Sequence, residues 1–390
     1  MKYLSSLKWG HGPRRLPGAR LVIAAAALLM TACAGEAQTV AVDSQAGPIR
    51  VDVVARGLAH PWGLAFLHDG RMLVTERPGR LRVVARNGAV SPPVTNVPKV
   101  YDSGQGGLLD VQLSPSFATD RLIYLSFAEP GAGGASTAVA RGRLNGTATA
   151  LENVETIFSQ QPKVSGGRHF GSRLVFARDG RLFVTTGDRG EGAPAQDPSN
   201  HIGTILRIEP DGTVPPDNPF VGRSGARPEI WSYGHRNGQG AALHPVTGAL
   251  WQHEHGPRGG DEINIPKPGL NYGWPLVSWG TEYSGGPIPD PPTRPEFAQA
   301  AYQWTPVIAA SGMAFYTQGL FPSWRGNLLV GGLVAGAVVR LTLDGERVIG
   351  EERIPLGARI RDVRVGPDGA VYVLTDDSPG KLLRLSPKKP

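Results

Sequence analysis

Short apolar runs alternate with polar residues along most of the chain, and Gly, Pro, Asp and Asn separate the runs. After residue 40 no stretch keeps an apolar period of 3.6 for long, so the pattern indicates strands rather than helices. One unit recurs six times: an apolar strand, a tight turn and a second strand that ends near a polar residue or glycine. The copies span Gly63–Glu76, Asp110–Phe127, Arg173–Asp188, Gly240–Gly256, Met313–Leu333 and Asp362–Asp377.

The turns of the three clearest copies contain the dipeptides Asp69-Gly70, Asp179-Gly180 and Asp368-Gly369. Glycine adopts positive φ without steric cost, so each copy is predicted to be a hairpin. Six copies over 39–390 leave about 59 residues for each, enough for four short strands and their loops. We therefore predict an all-β fold, a six-bladed β-propeller with four-stranded antiparallel blades. A pair of β-sandwiches is the alternative, but it does not account for the repeated unit.

The beginning of the chain has the pattern of an export signal. Met1–Arg20 contains five basic residues and no acid, and the apolar run Leu21–Met30 follows it. That run is shorter than the roughly 20 residues that a membrane-spanning helix needs. Cys33 lies in a segment that resembles a bacterial lipoprotein box, so lipid attachment at Cys33 and ordinary cleavage nearby both stay open.

These patterns predict a signal peptide over 1–32, a linker over 33–48 and one propeller domain over 49–390. Because the blades of a propeller are not independent cores, we expect no domain boundary inside the propeller. The expected location is the periplasm, with an outer-membrane anchor in the case that Cys33 carries lipid.

Composition and charge exclude several classes of protein. With 40% hydrophobic residues the chain can bury a core, so it is not intrinsically disordered. The first 38 residues hold five of the 40 basic residues and one of the 33 acidic ones, so the remainder carries a net charge of +3. Its bases are scattered among acids, which argues against nucleic-acid binding. The only cysteine is Cys33, which excludes a disulfide scaffold and a thiol enzyme.

The third hairpin carries a candidate catalytic pair. His169 enters its first strand and Asp188 ends its second, so the turn at Asp179-Gly180 should bring the two side chains together. A histidine backed by a carboxylate is suited to act as a general base. The alternative is structural, with Asp188 capping a turn and His169 packed in a loop.

Three further loops are rich in groups that bind ligands. Arg236 and Asn237 lie in a glycine-rich stretch, where a guanidinium can bind a carboxylate or carbonyl oxygen. The segment His253–Asn264 is rich in Gly, Asp and Glu, and its oxygen atoms suit Ca²⁺ better than zinc. Arg359 and Arg361 are two residues apart and should point to the same side of a strand, towards an anion or towards acids such as Asp362.

Several motifs, in order, resemble the soluble quinoprotein aldose sugar dehydrogenases of the glucose/sorbosone dehydrogenase family, which use pyrroloquinoline quinone (PQQ). The resemblance runs from about Gly57 to Leu385 through GLAHPWGLAF, GQGGLLDV, RHFGSRLVF, TGDRG, SYGHRNGQG, EHGPRGGDEIN, NYGWP and RIRD. It implies oxidation of an aldose at its anomeric carbon, with hydride passing to PQQ and a lactone as the product.

The resemblance also implies roles for individual residues. His169 matches the general base and Asp188 its supporting carboxylate. The implied quinone contacts are Gln105, Arg236, Asn237, Arg359 and Arg361. The backbone carbonyls of Gly256 and Pro257 would hold the active-site Ca²⁺, and Glu262 and the region of Tyr272 would bind a second, structural Ca²⁺.

One position departs from the family pattern. Val334 stands where the better-known glucose enzymes have a lysine that contacts the quinone. Two other functions remain open on the sequence alone: a Ca²⁺-dependent propeller hydrolase, such as a lactonase that uses His169 to activate water, and a non-catalytic propeller that binds glycans or proteins. The sequence predicts neither the preferred sugar, nor the electron acceptor, nor the oligomeric state.

Overall fold

A computed structural model describes residues 39–388, except 287 and 289–291. The signal peptide predicted over 1–32 and Cys33, where lipid attachment and ordinary cleavage both stay open, lie outside these residues. Six antiparallel sheets form a ring, so the predicted six-bladed β-propeller is confirmed. Each of the six predicted hairpins forms the two innermost strands of one blade.

The strands of the blades, in chain order, have the following bounds. Blade 1 contains β3 (Pro61–Phe66), β4 (Met72–Glu76) and β5 (Arg80–Val84); blade 2 contains β6 (Leu108–Leu113), β7 (Leu122–Gly131), β8 (Gly134–Leu144) and β9 (Leu151–Ser159). Blade 3 contains β10 (Leu174–Phe176), β11 (Leu182–Thr185), β12 (Thr204–Ile208) and β13 (Ile230–Tyr233); blade 4 contains β14 (Gly238–Leu243), β15 (Leu250–Glu254), β16 (Asp261–Asn264) and β17 (Tyr302–Trp304). Blade 5 contains β18 (Ala310–Phe315), β19 (Leu328–Gly332), β20 (Ala337–Asp344) and β21 (Arg347–Pro355); blade 6 contains β22 (Ile360–Val365), β23 (Val371–Thr375), β24 (Gly380–Pro387), β2 (Ile49–Leu58) and β1 (Thr39–Val42).

Within the described residues, helical structure is confined to short turns. The helix α1 spans Phe117–Asp120, and two 3-10 turns span Ala193–Gln196 and Pro322–Trp324. None of the helices found among the described residues is long and apolar enough to cross a bilayer.

The two ends of the described chain close the ring within blade 6. Strand β2 pairs with β24 from Ile49↔Pro387 to Leu58↔Gly380, so the first and last parts of the propeller share one sheet. Strand β1 adds a fifth strand by pairing with β2. Strand structure therefore begins inside the segment 33–48 that the sequence predicted as a linker. Blade 1 has three full strands, and isolated bridges such as Leu81↔Val94 continue its outer edge.

The hydrophobic core lies between neighbouring blades. Leu73 of blade 1 and Phe127 of blade 2 belong to one buried cluster, and Leu329 of blade 5 and Val373 of blade 6 belong to another. Burying one such side chain contributes about 1.5–3 kcal/mol. Because each sheet needs the next one to cover its apolar face, the six blades form one cooperative unit.

The innermost strands β3, β6, β10, β14, β18 and β22 contact one another in sequence around a central channel. Their pairing is interrupted in five blades by a register shift near the start of the inner strand, at β3, β6, β14, β18 and β22. A bulge leaves residues outside the hydrogen-bonded ladder and can redirect their side chains. These shifts therefore allow adjacent residues to reach different levels of the channel.

One level of the channel is filled by charged side chains, which we call the channel plug: Asp110, Arg173, Asp362 and Arg364. Arg173 Nη1 lies 3.0 Å from Asp110 Oδ1 and 3.2 Å from Asp362 Oδ1. Arg364 forms ion pairs with both carboxylates: its Nη2 lies 3.0 Å from Asp110 Oδ1, and its Nε lies 2.9 Å from Asp362 Oδ2. A Cβ at Gly312 would lie 2.0 Å from Asp362 Oδ1, so the plug requires glycine at that position.

Candidate active site

A cavity of about 270 Å³ opens on one side of the channel plug. Its apolar lining includes Trp62, Leu109 and Phe170. The Trp62 ring also lies 4.3 Å from the guanidinium carbon of Arg173, so this indole separates the cavity from the plug. The polar lining consists of Arg77, Gln105, Gln239, His255, Arg359, Arg361 and Asp376.

Three guanidinium groups face this cavity with a single carboxylate. Arg361 Nη2 donates to Asp376 Oδ2 at 2.7 Å, and its Nη1 donates to Gln239 Oε1 at 2.9 Å. Arg359 is 50% exposed and lies 3.7 Å from the same carboxylate. Burial by itself would raise the pKa of Asp376, but Arg361, Arg77 and Arg359 outweigh it and hold this pKa at about 2. The lining therefore keeps an excess of positive charge.

The two arginines predicted to share one face, Arg359 and Arg361, line the same cavity. Pairing of either one with Asp362, which the sequence left open, is absent from the described ion pairs. Asp362 belongs instead to the channel plug, and Arg361 pairs with Asp376. The Nε atom of Arg361 is buried without a hydrogen-bond partner in the described structure, so one donor is left for a ligand.

His169 and Asp188 meet at the end of the third hairpin, as the sequence predicted. His169 Nδ1 lies 2.6 Å from Asp188 Oδ1, and both side chains are buried. Trp274 Nε1 donates to Asp188 Oδ2 at 2.7 Å, and the Gly190 N–H donates to Oδ1 at 2.7 Å. These two donors therefore fix the carboxylate against the imidazole.

The pKa values of the pair favour a neutral imidazole beside an ionised carboxylate. Burial lowers the pKa of His169 below its usual 6.5, and the hydrogen bond to Asp188 opposes this shift without cancelling it. Burial would raise the pKa of Asp188, but the contact with His169 and the nearby Arg236 keep it below its usual 3.8. An ionised Asp188 accepts the Nδ1 proton, which leaves Nε2 of His169 with its lone pair.

Gln105 connects the pair to the cavity. It lines the cavity, and its Oε1 accepts a hydrogen bond from the backbone N–H of His169 at 2.8 Å. His169 has a φ of 55°, a strained value for a residue with a side chain. The contact with Gln105 helps to hold His169 in this conformation.

Arg236 and Asn237 lie behind the cavity wall rather than on it. Asn237 Oδ1 accepts hydrogen bonds from the Gly171 N–H at 3.1 Å and from Gln239 Nε2 at 3.2 Å. Arg236 Nη1 donates to the carbonyl of His255 at 3.0 Å. Both residues therefore support groups that line the cavity. The amide Nδ2 of Asn237 is buried and has no partner among the described atoms.

A buried carboxylate, Glu254, holds this segment in place. Its Oε2 accepts the backbone N–H of Arg236 and, at 3.3 Å, that of Asn237. Its Oε1 accepts from His235 Nδ1 and from Asn264 Nδ2, both at 3.0 Å. Glu254 was not predicted from the sequence. The available signal was its position at the end of the inner hairpin of blade 4, which matches the position of Asp188 in blade 3.

The predicted metal ligands fall into two neighbouring groups. The Gly256 carbonyl accepts from Arg236 Nη1 at 3.0 Å, and Pro257 is the next residue of the same buried loop. Glu262 and Tyr272 line a cavity of about 20 Å³ together with Glu254 and Gly256. Within the part of the chain that the structure describes, no three His, Cys, Asp or Glu side chains converge as a metal cluster.

The chemistry of these groups is that of oxygen ligands. Burial and the neighbouring Glu254 raise the pKa of Glu262 to about 8, and no described residue forms an ion pair with Glu262. The Tyr272 hydroxyl donates to the Ile265 carbonyl at 2.8 Å, and burial raises its pKa to about 12. A carboxyl that lacks a cationic partner, beside a second carboxylate, suits a divalent cation.

The segment around Val334 brings an apolar side chain and a backbone carbonyl to the cavity, and no charged side chain. Val334 is 63% exposed. Its neighbour Leu333 lines the cavity, and the carbonyl oxygen of Leu333 lies 3.5 Å from Arg359 Nη1. Ala309, which precedes β18, also lines the cavity.

The sequence and the fold were compared with those of known proteins. The sequence profile of the family described as Glucose / Sorbosone dehydrogenase matches residues 58–384. The chain belongs to this family. Its family makes it a sugar oxidoreductase, and the resemblance found in the sequence is confirmed.

Individual relatives extend the match over most of the chain. Aldose sugar dehydrogenase YliI of Escherichia coli (strain K12) is 48% identical over 348 residues, which cover 87% of this chain and 93% of the relative. A solved structure of a glucose dehydrogenase is 53% identical, with a TM-score of 0.84; the match covers 86% of this chain and 98% of the chain in that structure. The PQQ-bound aldose sugar dehydrogenase of Streptomyces coelicolor is 31% identical, with a TM-score of 0.72 and coverage of 87% and 98%.

Proposed function

We propose that the chain oxidises aldose sugars at the anomeric carbon to lactones, with PQQ as the hydride acceptor and Ca²⁺ as activator. The observation that carries this proposal is the position of the His169–Asp188 pair beside a cavity with three guanidinium groups and one carboxylate. When bound, PQQ accepts the two electrons of the sugar C–H bond as hydride, and Ca²⁺ acts as a Lewis acid on the quinone.

The cavity residues fit a compact polyanion such as PQQ, which has three carboxylates. Arg77, Arg359 and Arg361 exceed the single acid Asp376, and the Nε atoms of Arg77 and Arg361 are buried donors without partners among the described atoms. Guanidinium groups form strong, directional hydrogen bonds with carboxylates. These three arginines would hold the carboxylates of PQQ, with Gln105 beside them and with Asn237 and Arg236 supporting the wall.

His169 would take the proton of the anomeric hydroxyl at its free Nε2 atom. Asp188 holds Nδ1–H, fixes the ring orientation and stabilises the imidazolium that forms. Because both side chains are buried, the charge pair is shielded from water and its electrostatic interaction is strengthened.

The oxygen ligands described above fit Ca²⁺. The carbonyls of Gly256 and Pro257 would bind the active-site ion; Arg236 Nη1 occupies one of the two lone pairs of the Gly256 oxygen, which leaves the other for the ion. Glu262 and the region of Tyr272 would bind the second ion, where a carboxyl lacks an ion-pair partner.

Reconstitution tests the proposal. Purified protein is incubated with PQQ and Ca²⁺, and reduction of a dye is followed after glucose is added. We expect sugar-dependent dye reduction and loss of the oxidised PQQ absorption band. Bound PQQ without oxidation of any aldose would refute the proposal. Lactone hydrolysis without PQQ would indicate the hydrolase alternative, and ligand binding that the His169→Ala variant leaves unchanged, without turnover, would indicate a binding propeller.

We further propose that the protein is exported to the periplasm, on the basis of residues 1–32. Fractionation of cells that express the full chain, with labelled palmitate, tests both location and lipidation. Palmitate label that is present in the unmodified protein and lost in a Cys33→Ser variant would support an outer-membrane anchor. Label in both the unmodified protein and the variant would contradict an anchor at Cys33.

A further inference from the structure

The loop between β16 and β17 exposes two aromatic side chains beside the candidate active site. Trp279 is 40% exposed and Tyr283 is 65% exposed. Every other Phe, Tyr and Trp within the described residues is buried or half-buried. Two exposed rings on one loop present apolar surface with polar tips, which is characteristic of a binding surface.

Tyr283 is connected to the catalytic pair through Arg236 and Trp274. Its hydroxyl accepts a hydrogen bond from Arg236 Nη2 at 3.3 Å. The Arg236 guanidinium lies 5.2 Å from the ring of Trp274, and Trp274 donates to Asp188. Tyr283 therefore lies at the rim of the site, two side chains away from the carboxylate that orients His169.

Backbone contacts fix the loop segment that carries the two rings. Arg258 and Thr281 exchange two hydrogen bonds of 3.0 Å, which join this loop to the loop that carries Gly256. A Cβ at Gly280 would lie 2.3 Å from the Gly259 carbonyl oxygen, so the two backbones approach too closely for a side chain. Trp279 and Tyr283 flank this contact, and a preordered surface costs less entropy on binding.

We propose that Trp279 and Tyr283 form a subsite that stacks on the second sugar unit of an oligosaccharide. This inference rests on the proposed aldose oxidation, since it places the reducing-end unit at His169. A pyranose ring has an apolar C–H face that packs on an aromatic ring and hydroxyls that bond to polar tips such as the Tyr283 hydroxyl. The rings lie beside the site rather than inside the cavity, which suits a unit beyond the one that reacts.

The first test compares substrates of two lengths. The PQQ- and Ca²⁺-loaded protein oxidises cellobiose and glucose with a dye as acceptor, and the ratio of their kcat/KM values is the readout. We expect Trp279→Ala and Tyr283→Ala each to lower this ratio about three- to tenfold, through a higher KM for the disaccharide. Tyr283→Phe should keep the ratio within about twofold, because the stacking ring remains.

Val246→Ala is the matched control, since Val246 is 79% exposed on the turn between β14 and β15. This variant should leave the kcat/KM values for cellobiose and for glucose unchanged. An unchanged ratio in both alanine variants would overturn the subsite. A change in the KM of the dye without a change in that of either sugar would also overturn it, because it would assign the rings to the electron acceptor.

A binding measurement separates this inference from the oxidation itself. Methyl β-cellobioside has a blocked anomeric oxygen and cannot be oxidised to a lactone, so calorimetry with it reports binding alone. Weaker binding by Trp279→Ala than by the unmodified protein supports the subsite even where no aldose is oxidised. Equal binding by both, or no binding by the unmodified protein, overturns the subsite and leaves the oxidation proposal standing.

Discussion

The cavity and the channel plug contain the same residue types at adjacent levels of one channel, yet they differ in charge balance. The plug has two arginines and two aspartates, and Asp110 and Asp362 each contact both guanidinium groups. The cavity has three arginines and one aspartate, and Arg359 is half exposed. Balanced, desolvated charges join blades, whereas unbalanced charges with free donors bind a ligand.

Arg361 and Asp362 show how the chain separates the two functions. They are consecutive residues of β22, but Arg361 faces the cavity and Asp362 belongs to the plug. The register shift in β22 falls between Ile360 and Asp362. A regular strand would point consecutive residues to opposite faces of the sheet, and the irregularity instead lets both reach the channel.

The largest expected effect concerns the cavity side of the comparison. His169→Asn should lower kcat by about 10²- to 10⁴-fold, because the general base is lost. Steady-state sugar oxidation with saturating PQQ measures it. His68→Asn, on an exposed turn of blade 1, is the control and should retain full activity. Comparable rates for the His169 variant and the unmodified protein would remove His169 from the mechanism.

The plug should respond in stability rather than in cofactor binding. Arg173→Met leaves Asp110 and Asp362 with Arg364 alone, and we expect a loss of about 3–5 kcal/mol in the free energy of unfolding. Denaturant unfolding without PQQ measures it, and Arg178→Met, at an exposed arginine, serves as the control. A loss below about 1 kcal/mol would show that the plug does not stabilise the ring.

Arg361→Met should have the opposite profile. We expect PQQ affinity to fall about 10- to 100-fold, since a charged hydrogen bond contributes about 1.5–3 kcal/mol. The loss of stability should be smaller than that of Arg173→Met, because Asp376 keeps Arg359 and Arg77 nearby. Fluorescence titration with PQQ, combined with unfolding curves, gives both values. Equal PQQ affinities of Arg361→Met and the unmodified protein would contradict the separation of roles between the cavity and the channel plug.

Calcium should stabilise the loops beside the cavity and leave the plug unaffected. At a hundredfold excess over the dissociation constant of the site at Glu262, Ca²⁺ should add about 2.7 kcal/mol of stability through that site, and Glu262→Gln should remove most of this contribution. Calorimetric melting with and without a chelator measures the effect. Stabilisation of the same size in the Glu262 variant would place the ion elsewhere.

The pH profile gives the smallest effect. The pKa of His169 lies below 6.5, so kcat/KM should be constant above about pH 6.5 and should fall towards tenfold per pH unit once the pH is below that pKa. The direction follows because only the unprotonated imidazole can take the proton. Rates measured between pH 4.5 and 8.5 test it, and a decrease above pH 7 instead would argue against a histidine base.

Local patterns predicted the parts of the site that lie within one hairpin or one strand. His169 and Asp188 meet because a hairpin returns its end beside its start. Arg359 and Arg361 line the same cavity, as their spacing predicted, although Arg359 precedes β22 and the register shift at Arg361 interrupts the alternation of the strand. The six hairpins were predictable for the same reason, since turn chemistry and alternation act over short stretches of the chain.

The residues that the sequence analysis missed come from distant blades. Arg77, Gln239 and Asp376 line one cavity, although blade 1, blade 4 and blade 6 contribute one each. No spacing in the sequence relates them, because their proximity depends on closure of the ring. Glu254 and Trp274 were missed because they act through Arg236 and Asp188 rather than on the cavity.

The sequence by itself determined the strands, the tight turns, the sixfold repeat and the pairing of a histidine with a carboxylate, since each depends on contacts close along the chain. Only the tertiary structure decided which arginines face the cavity and which fill the plug. That choice depends on where the inner strands break register and on how six sheets meet around one axis, where a shift of one residue moves a charge from a balanced cluster to a binding surface.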